Sequence, residues 1–303
     1  MFLFRSAAGL VLLLTAFAQQ APQSYRLSVN VDLVVLNATV HDRKGQCVEG
    51  LGESNFEVYE DGVRQAIRLF QHEDIPVTVG LVIDHSGSMR QKISEVIAAA
   101  RTFVQSSHPD DQLFVVNFNE HVTLGLPAAH SFSSRLDDLD AAILLSPATG
   151  QTALYDAVLD AEQRVQSGDR DKKVLIVVSD GADNASRHDL SDVLRQAEQS
   201  SAVVYTIGVF DPTDPDGNPR VLKRLAQVTG GETFISGERD VLVANCERIA
   251  RDIRQRYTIG YVPSAAARPG VYRSIRVVAR TPAGGKLTVR ARDGYIAGGD
   301  DAR

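Results

Sequence analysis

The chain contains the stretch TVGLVIDHSGSM at residues 78–89, where a nearly continuous apolar run meets a loop of oxygen-bearing side chains. Such an apolar run is typical of a parallel strand that is covered by helices on both faces. Residues 91–105 follow with the periodicity of an amphipathic helix. Because open α/β sheets bind ligands at the carboxyl ends of their strands, this order predicts a site at the loop.

Strand and helix patterns alternate on the carboxyl side of this stretch. We predict strands at residues 78–83, 111–118, 122–126, 173–178, 203–209 and 233–235. We predict helices at residues 91–105, 134–145, 152–167, 189–201, 220–228 and 239–256. This alternation indicates an α/β fold, with a doubly wound, Rossmann-like sheet and helices on both of its faces.

The segments on either side of this region show the period-2 pattern of β-strands. Strands are expected at residues 25–40, as a hairpin at 55–60 and 65–70, at 257–262, and as a second hairpin at 272–280 and 287–292. Each segment alone is too small to bury a core, but together they reach about 100 residues, the size of one immunoglobulin-like sandwich. We therefore expect one β-sandwich-like domain into which the α/β domain is inserted. The expected division is residues 19–74 and 258–297 for the β domain, 75–257 for the α/β domain and 298–303 for a disordered tail.

The first residues have the pattern of a secretory signal peptide. An apolar run from Ala7 to Phe17 leads to Ala16-Phe17-Ala18, a small-x-small cleavage motif, so residues 1–18 are expected to be removed. An uncleaved anchor is the alternative, although the run is short for a membrane span. No later segment is long and apolar enough to span a bilayer. We expect a secreted, periplasmic or cell-envelope protein without an integral span after cleavage.

The composition limits the class of partner. The 303 residues are 44% hydrophobic and carry a formal net charge of -6, without a concentrated basic stripe. Nucleic-acid-binding proteins usually need a basic footprint, so a nucleic-acid partner is not expected. The only two cysteines, Cys47 and Cys246, leave open one disulfide or two free thiols.

Oxygen-bearing side chains follow two predicted strands and precede one predicted helix. The residues are Asp84, Ser86, Ser88, Thr152 and Asp180. Hard oxygen donors of this kind suit Mg²⁺, with Mn²⁺ and Ca²⁺ as alternatives. Two carboxylates roughly neutralise a dication and leave coordination positions open. An incompletely satisfied cation attracts a carboxylate from outside, so these residues favour the binding of an acidic group on a partner.

Three elements now make a family resemblance specific. DHSGSM at residues 84–89, GQTALYDA at 150–157 and VLIVVSDGADN at 174–184 resemble, in order and spacing, the metal-site elements of the von Willebrand factor type A (vWA) family. The resemblance implies that the five residues form a metal-ion-dependent adhesion site (MIDAS), in which the serines coordinate directly and one or both aspartates act through water. The flanking stretches FEVYEDGVRQAI and YTIGYVP resemble a vWA-related family known mainly from acidobacterial genomes, which favours a bacterial envelope protein.

These observations predict a non-enzymatic, adhesion-type binding protein. Its partner would be a protein or surface polymer with an exposed carboxylate, and His85, Gln151 and Asp183 are candidates for contacting it. Asp183 and Asn184 lie at the end of the third element and could touch the partner, orient Asp180, or cap a turn or helix. A serine hydrolase is disfavoured because Ser86 does not lie in a G-x-S-x-G elbow.

Two other roles remain open. The protein could be an envelope scaffold whose metal serves stability alone. It could also be the regulatory subunit of an AAA-type ATPase, which the expected export disfavours because ATP-driven partners are cytoplasmic.

Overall fold

The computed structural model describes residues 33–72, 74–127, 129–210, 217–235, 238–265 and 268–297. The expected signal peptide at 1–18, the first part of the expected strand 25–40 and the tail 298–303 lie outside the described residues. Within the described part of the chain, no helix has both the length and the hydropathy needed to cross a bilayer.

The described residues form fourteen strands and six α-helices. The strands are β1 Val34–His41, β2 Phe56–Glu60, β3 Val63–Gln65, β4 Ile67–Gln71, β5 Val77–Asp84, β6 Gln112–Phe118, β7 Val122–Leu124, β8 Lys172–Ser179, β9 Val203–Gly208, β10 Thr233–Ile235, β11 Tyr257–Tyr261, β12 Tyr272–Ala279, β13 Thr288–Arg290 and β14 Gly294–Ile296. The helices are α1 Ile93–Gln105, α2 Leu136–Ile143, α3 Leu154–Gln166, α4 Leu190–Gln199, α5 Pro219–Thr229 and α6 Arg239–Arg254.

A six-stranded sheet with the order β10-β9-β8-β5-β6-β7 contains the strands of the α/β region. All neighbouring strands are parallel except β7, which runs antiparallel to β6. Every residue of β5 is buried, as expected for a central strand with helices on both faces. The predicted α/β, doubly wound fold is confirmed.

Two four-stranded antiparallel sheets contain the remaining strands, with the orders β13-β1-β11-β4 and β14-β12-β2-β3. Both sheets take strands from before and after the α/β region, since β1 pairs with β11 and β2 pairs with β12. Their apolar faces share one core, which includes Leu36, Phe56, Val58, Tyr257 and Ile259.

Both predicted hairpins are divided between these two sheets. The expected strand 65–70 is interrupted, so that β3 stays beside β2 while β4 pairs with β11 in the other sheet. The expected partner of β12 behaves similarly, because β13 pairs with β1. The two sheets face the same core, so the alternating pattern is the same whichever sheet a strand joins, and it does not identify the neighbouring strand.

Arg292 joins the β sheets to the α/β region near a buried acid. The guanidinium Nη2 of Arg292 donates to the backbone oxygens of Glu198 and Ser200, at 2.9 and 3.1 Å, where helix α4 ends. Glu162 on α3 is completely buried nearby, and its two carboxylate oxygens have no hydrogen-bond donor among the described residues. Burial raises the pKa of Glu162 to about 7, although Ser200 and Arg292 act in the opposite direction.

We expect Glu162→Gln to stabilise the protein at high pH. The pKa of Glu162 is about 7 in the folded chain against an ordinary value of 4.5, so the folded state binds more protons between these values. Its contribution to stability therefore falls as the pH rises from about 4.5 to 7 and stays lost above pH 7. The variant should be about 2–3 kcal/mol more stable than the wild type at pH 8, and equally stable near pH 4.5.

Urea unfolding at several pH values measures this difference. The control is Glu247→Gln on the exposed face of α6, which should leave the pH profile unchanged. If the free energy of unfolding depended on pH in the same way in the wild type and in Glu162→Gln, the loss of stability at high pH could not be due to Glu162.

Candidate metal centre

The candidate site lies where the parallel strands β5 and β8 end side by side. The two strands pair in register up to Ile83 and Val178, so the residues that follow them reach the same edge of the sheet. Asp84 is the last residue of β5, and Asp180 comes directly after β8. The loop at residues 149–152, which precedes helix α3, completes the edge.

Short hydrogen bonds connect the aspartates and serines at this edge. The Ser88 hydroxyl donates to Asp180 Oδ2 at 2.6 Å, and its oxygen lies 3.1 Å from Ser86 Oγ. Asp84 accepts the Ser86 backbone N–H at 2.8 Å through Oδ1 and the Ser179 hydroxyl at 2.6 Å through Oδ2. Four of the five residues expected to bind metal are thus in one hydrogen-bonded group.

Thr152, the fifth expected metal ligand, is held against the β8 loop by Asn184. The Thr152 N–H donates to Asn184 Oδ1 at 2.8 Å, and the Thr152 carbonyl accepts the Asn184 N–H at 2.9 Å. Thr152 is buried at 3% exposure. The two-way contact fixes the position of Thr152 relative to the loop that carries Asp180.

Negative charge at the site is not balanced by a basic side chain. Among the described residues, neither Asp84 nor Asp180 forms an ion pair within 4.0 Å, although Asp84 is completely buried. Burial, together with the nearby Asp180 carboxylate, raises the pKa of Asp84 to about 7, against the hydrogen bonds from Ser179 and Ser86. Oxygen donors around uncompensated carboxylates are the chemistry that a hard divalent cation requires, so the residues fit such an ion.

Backbone contacts fix the three loops. The Gly87 N–H donates to the Gly150 carbonyl at 3.0 Å, and the Thr149 N–H donates to the His85 carbonyl at 2.8 Å. Gly181, which follows Asp180, has a φ of +80°, and a Cβ there would lie 2.4 Å from the Asn218 carbonyl oxygen. Only glycine fits this position without strain, so the turn holds Asp180 in a fixed orientation.

The three residues expected to face a partner have different environments. Gln151 is exposed at the edge of the site. The Asp183 carboxylate accepts the Tyr155 N–H at 2.9 Å and the Ser186 hydroxyl at 2.6 Å, so it caps the start of α3. His85 is completely buried, which does not agree with an expected partner contact. Neighbouring residues in an extended segment point to opposite sides, so His85 is directed away when Asp84 and Ser86 face the site.

Sequence reasoning did not identify the roles of Ser179 and Asn184. Ser179 binds Asp84, whereas Asn184 positions Thr152. The signal for Ser179 was its place at the end of a buried strand, directly before an expected ligand. Asn184 was noted for its place at the end of the third sequence element, but its contact with Thr152 was not predicted, because it joins residues 32 positions apart.

The two cysteines are free thiols rather than a disulfide. Burial raises the pKa of each thiol to about 12, and Asp252 contributes to the increase at Cys47. The thiolate is the nucleophilic form, so neither cysteine is activated for nucleophilic catalysis.

The comparison with known families agrees with this architecture. The family profile described as von Willebrand factor type A domain matches residues 78–243. The chain belongs to the vWA family. The match covers the three loops of the candidate metal centre, as the three sequence elements predicted. A search of curated proteins found no matching sequence.

Several solved vWA structures are similar to this chain. A von Willebrand factor type A protein from Catenulispora acidiphila is 13% identical with a TM-score of 0.54, and the match covers 89% of this chain and 74% of that one. Proximal thread matrix protein 1 from the mussel byssus, with a zinc-occupied MIDAS motif, is 18% identical with a TM-score of 0.52, covering 65% and 50% of the two chains. The von Willebrand factor domain of a type V pilus tip protein from Porphyromonas gingivalis is 16% identical with a TM-score of 0.50, covering 59% and 95%. At these identities the similarity shows the fold.

Proposed function

We propose that this vWA protein is an exported, non-enzymatic binding protein that uses a divalent cation to hold an acidic group of its partner. The observation that carries the proposal is the contact of Ser88 with both Asp180 and Ser86, beside the buried and unpaired Asp84 carboxylate. The cation would be held by Asp84, Ser86, Ser88, Thr152 and Asp180. Mg²⁺ is the first choice, with Mn²⁺ and Ca²⁺ as alternatives, because the donors are oxygen atoms.

The cation would supply positive charge and a coordination position that a partner carboxylate completes. The chain's own residues make that position accessible from one direction. Asp84, Ser86 and Thr152 are buried behind the edge of the sheet, whereas Gln151 and Glu120 are exposed at the surface of the loops. Gln151 is fixed there because its N–H donates to Glu120 Oε2 at 3.0 Å. The partner would be a protein or surface polymer with an exposed carboxylate, met outside the cytoplasm, in the periplasm or at the cell envelope.

Binding of Mn²⁺ followed by water-proton relaxation tests both parts of the proposal. Bound Mn²⁺ with open positions relaxes water strongly, so the wild type should enhance relaxation, and a poly-glutamate peptide should lower the enhancement by displacing water. Ser86→Ala should weaken Mn²⁺ binding at least about tenfold, since it removes an expected ligand. Ser94→Ala, on the exposed face of the adjacent helix α1, is the matched control and should bind as the wild type does.

The outcomes separate the binding role from a scaffold role. If Mn²⁺ binds and raises the melting temperature but poly-glutamate leaves the relaxation unchanged, the metal serves stability and the binding proposal is wrong. If Ser86→Ala and Ser94→Ala bind Mn²⁺ equally, the assignment of the site is wrong.

We also propose the domain division expected from the sequence, with residues 75–257 inserted between the two β segments 19–74 and 258–297. The pairing of β1 with β11 and of β2 with β12 supports it. Replacing residues 75–256 by a short glycine–serine linker, which keeps Tyr257 and the whole of β11 in the β core, tests the division. The shortened chain should still fold as a β protein, and an unfolded product would argue for a single cooperative unit.

A further inference from the structure

His41, Cys47 and Asp252 form a second cluster with metal-binding side chains, on a different part of the molecule from the oxygen-rich site. His41 ends strand β1, Cys47 follows it after a short turn, and Asp252 lies in the last turn of helix α6. One ligand atom from each residue lies within 4.8 Å of the other two. The cluster therefore joins one of the antiparallel sheets to the final helix of the α/β region.

The distances from the Cys47 sulfur to the other two residues are close to the edges of a metal coordination tetrahedron. Cys47 Sγ lies 3.4 Å from Asp252 Oδ1 and 3.8 Å from His41 Nε2, and His41 Nε2 lies 3.9 Å from Asp252 Oδ2. Zinc binds such atoms at about 2.0–2.3 Å, which separates two ligands of a tetrahedral ion by roughly 3.3–3.8 Å. Both distances from Cys47 Sγ lie in this range, and one ligand atom from each of the three residues lies within 4.8 Å of the other two.

The buried His41 ring makes few hydrogen bonds with the described residues. His41 is 3% exposed, and Nδ1 has no partner among the described residues. Nε2 has only the long contact with the Cys47 sulfur and a separation from Asp252 that exceeds a hydrogen bond. A metal ion would replace these two long contacts of Nε2 by a coordination bond, while Nδ1 would stay without a partner among the described residues.

The local backbone holds the ligands in place before any ion binds. His41 and Cys47 face each other across an isolated antiparallel bridge. The Asp42 carboxylate closes the turn between them, because Oδ1 accepts the Lys44 N–H at 2.8 Å and the Gln46 N–H at 2.9 Å. The separation of Cys47 from His41 is therefore fixed by a hydrogen-bonded turn.

The arrangement differs from that of a catalytic Cys–His–Asp relay. In a relay the histidine uses one ring nitrogen for the nucleophile and the other for the carboxylate. Here the same nitrogen, Nε2, faces both the thiol and the carboxylate, while Nδ1 has no partner among the described residues. Three groups that converge on one point are suited to ligate an ion.

The charged side chains around the cluster are compatible with the binding of a cation. Arg248 and Arg290 are close to His41, but the guanidinium groups of both contact Glu232. Binding a divalent ion would replace the Cys47 S–H bond by a metal–sulfur bond and release that proton to solvent. The resulting thiolate and the Asp252 carboxylate would together neutralise the ion.

We propose that His41, Cys47 and Asp252 form a second metal site, which binds Zn²⁺ and fastens helix α6 to the antiparallel sheet. Nitrogen, sulfur and oxygen donors together favour Zn²⁺ over Mg²⁺ or Ca²⁺, which prefer oxygen alone. Cys47 is partly exposed, so water has access to the fourth position. This site is independent of the oxygen-rich centre in both place and ligand chemistry.

Binding of Co²⁺ to the full, reduced chain tests the proposal. Thiolate–Co²⁺ ligation gives a near-ultraviolet charge-transfer band that oxygen ligands cannot give, so the band separates a cysteine site from the oxygen-rich centre. We expect the band in the wild type and in Asp84→Asn, and its loss on addition of Zn²⁺, which displaces Co²⁺. We expect Cys47→Ala and Cys47→Ser to lose the band, and Asp252→Asn to weaken Co²⁺ binding at least about tenfold.

Cys246→Ala is the matched control, because it removes the other thiol, on the same helix as Asp252, and should keep the band. A wild type without the band, or a band that persists in folded Cys47→Ala and Cys47→Ser, would overturn the proposal. Since Asp84→Asn alters only the oxygen-rich centre, the two metal proposals can fail separately.

Discussion

Asp84→Asn is expected to weaken Mg²⁺ binding about 100-fold, because it removes one of the two carboxylates that would hold the ion directly or through water. The same change should make the metal-free protein more stable by about 1–3 kcal/mol. Asp84 is a fully buried carboxylate close to Asp180, and without a cation only the hydrogen bonds from Ser179 and Ser86 offset its desolvation and the repulsion. The amide keeps an oxygen for the Ser86 N–H but carries no charge.

Urea unfolding in EDTA and in excess Mg²⁺ measures both effects on the same protein. Mg²⁺ should stabilise the wild type and leave Asp84→Asn nearly unchanged, so that the order of stability reverses between the two conditions. Asp137→Asn, at an exposed position on α2, is the control and should respond to Mg²⁺ like the wild type. If Asp84→Asn were less stable than the wild type in EDTA, the buried Asp84 carboxylate would not destabilise the metal-free protein, and the expectation would be wrong.

Asp111→Ala is expected to destabilise the protein by about 3–5 kcal/mol, the largest effect on stability that the structure indicates. The Asp111 side chain is completely buried and accepts the backbone N–H groups of Val77, at 2.9 Å, and His108, at 2.8 Å. It also forms an ion pair with Arg254 at the end of α6. Removing the carboxylate leaves two backbone donors and a mostly buried guanidinium without their partner.

Thermal and urea unfolding check this expectation against Asp110→Ala. The Asp110 side chain is 70% exposed, so its removal should change the stability by no more than about 0.5 kcal/mol. Similar losses for the two variants would contradict the role assigned to Asp111.

The α/β fold could be predicted from the sequence because the local patterns in this region limit which strands can be neighbours. A parallel sheet needs crossover helices, and the order of buried strands and amphipathic helices leaves few arrangements. The ends of β5 and β8 then locate Asp84 and Asp180 at one edge. The arrangement of the two antiparallel sheets was harder to predict, since β3 and β4 share one continuous alternating pattern but pair in different sheets.

Contacts that depend on distant segments could not be predicted. Cys47 and Asp252 are 205 positions apart and meet only because α6 ends beside the antiparallel sheet. His85 was misjudged because its position in a loop favoured exposure, whereas the tight packing of three loops buries it. Side chains such as Asn184 gain their role only when two loops come together in the folded chain.

The two connections between the α/β region and the antiparallel sheets leave from the edge opposite the candidate metal centre. Strand β5 begins at Val77 and carries Asp84 at its far end, whereas α6 ends with Arg254 beside Asp111, which also binds the Val77 N–H. A partner that pulls on the metal centre would therefore load the central strand along its length. The hydrogen bonds of β5 to both β6 and β8 would then resist in shear together, instead of opening one after another. Tension between a bound partner and the β sheets would be carried by a strand whose residues are all buried.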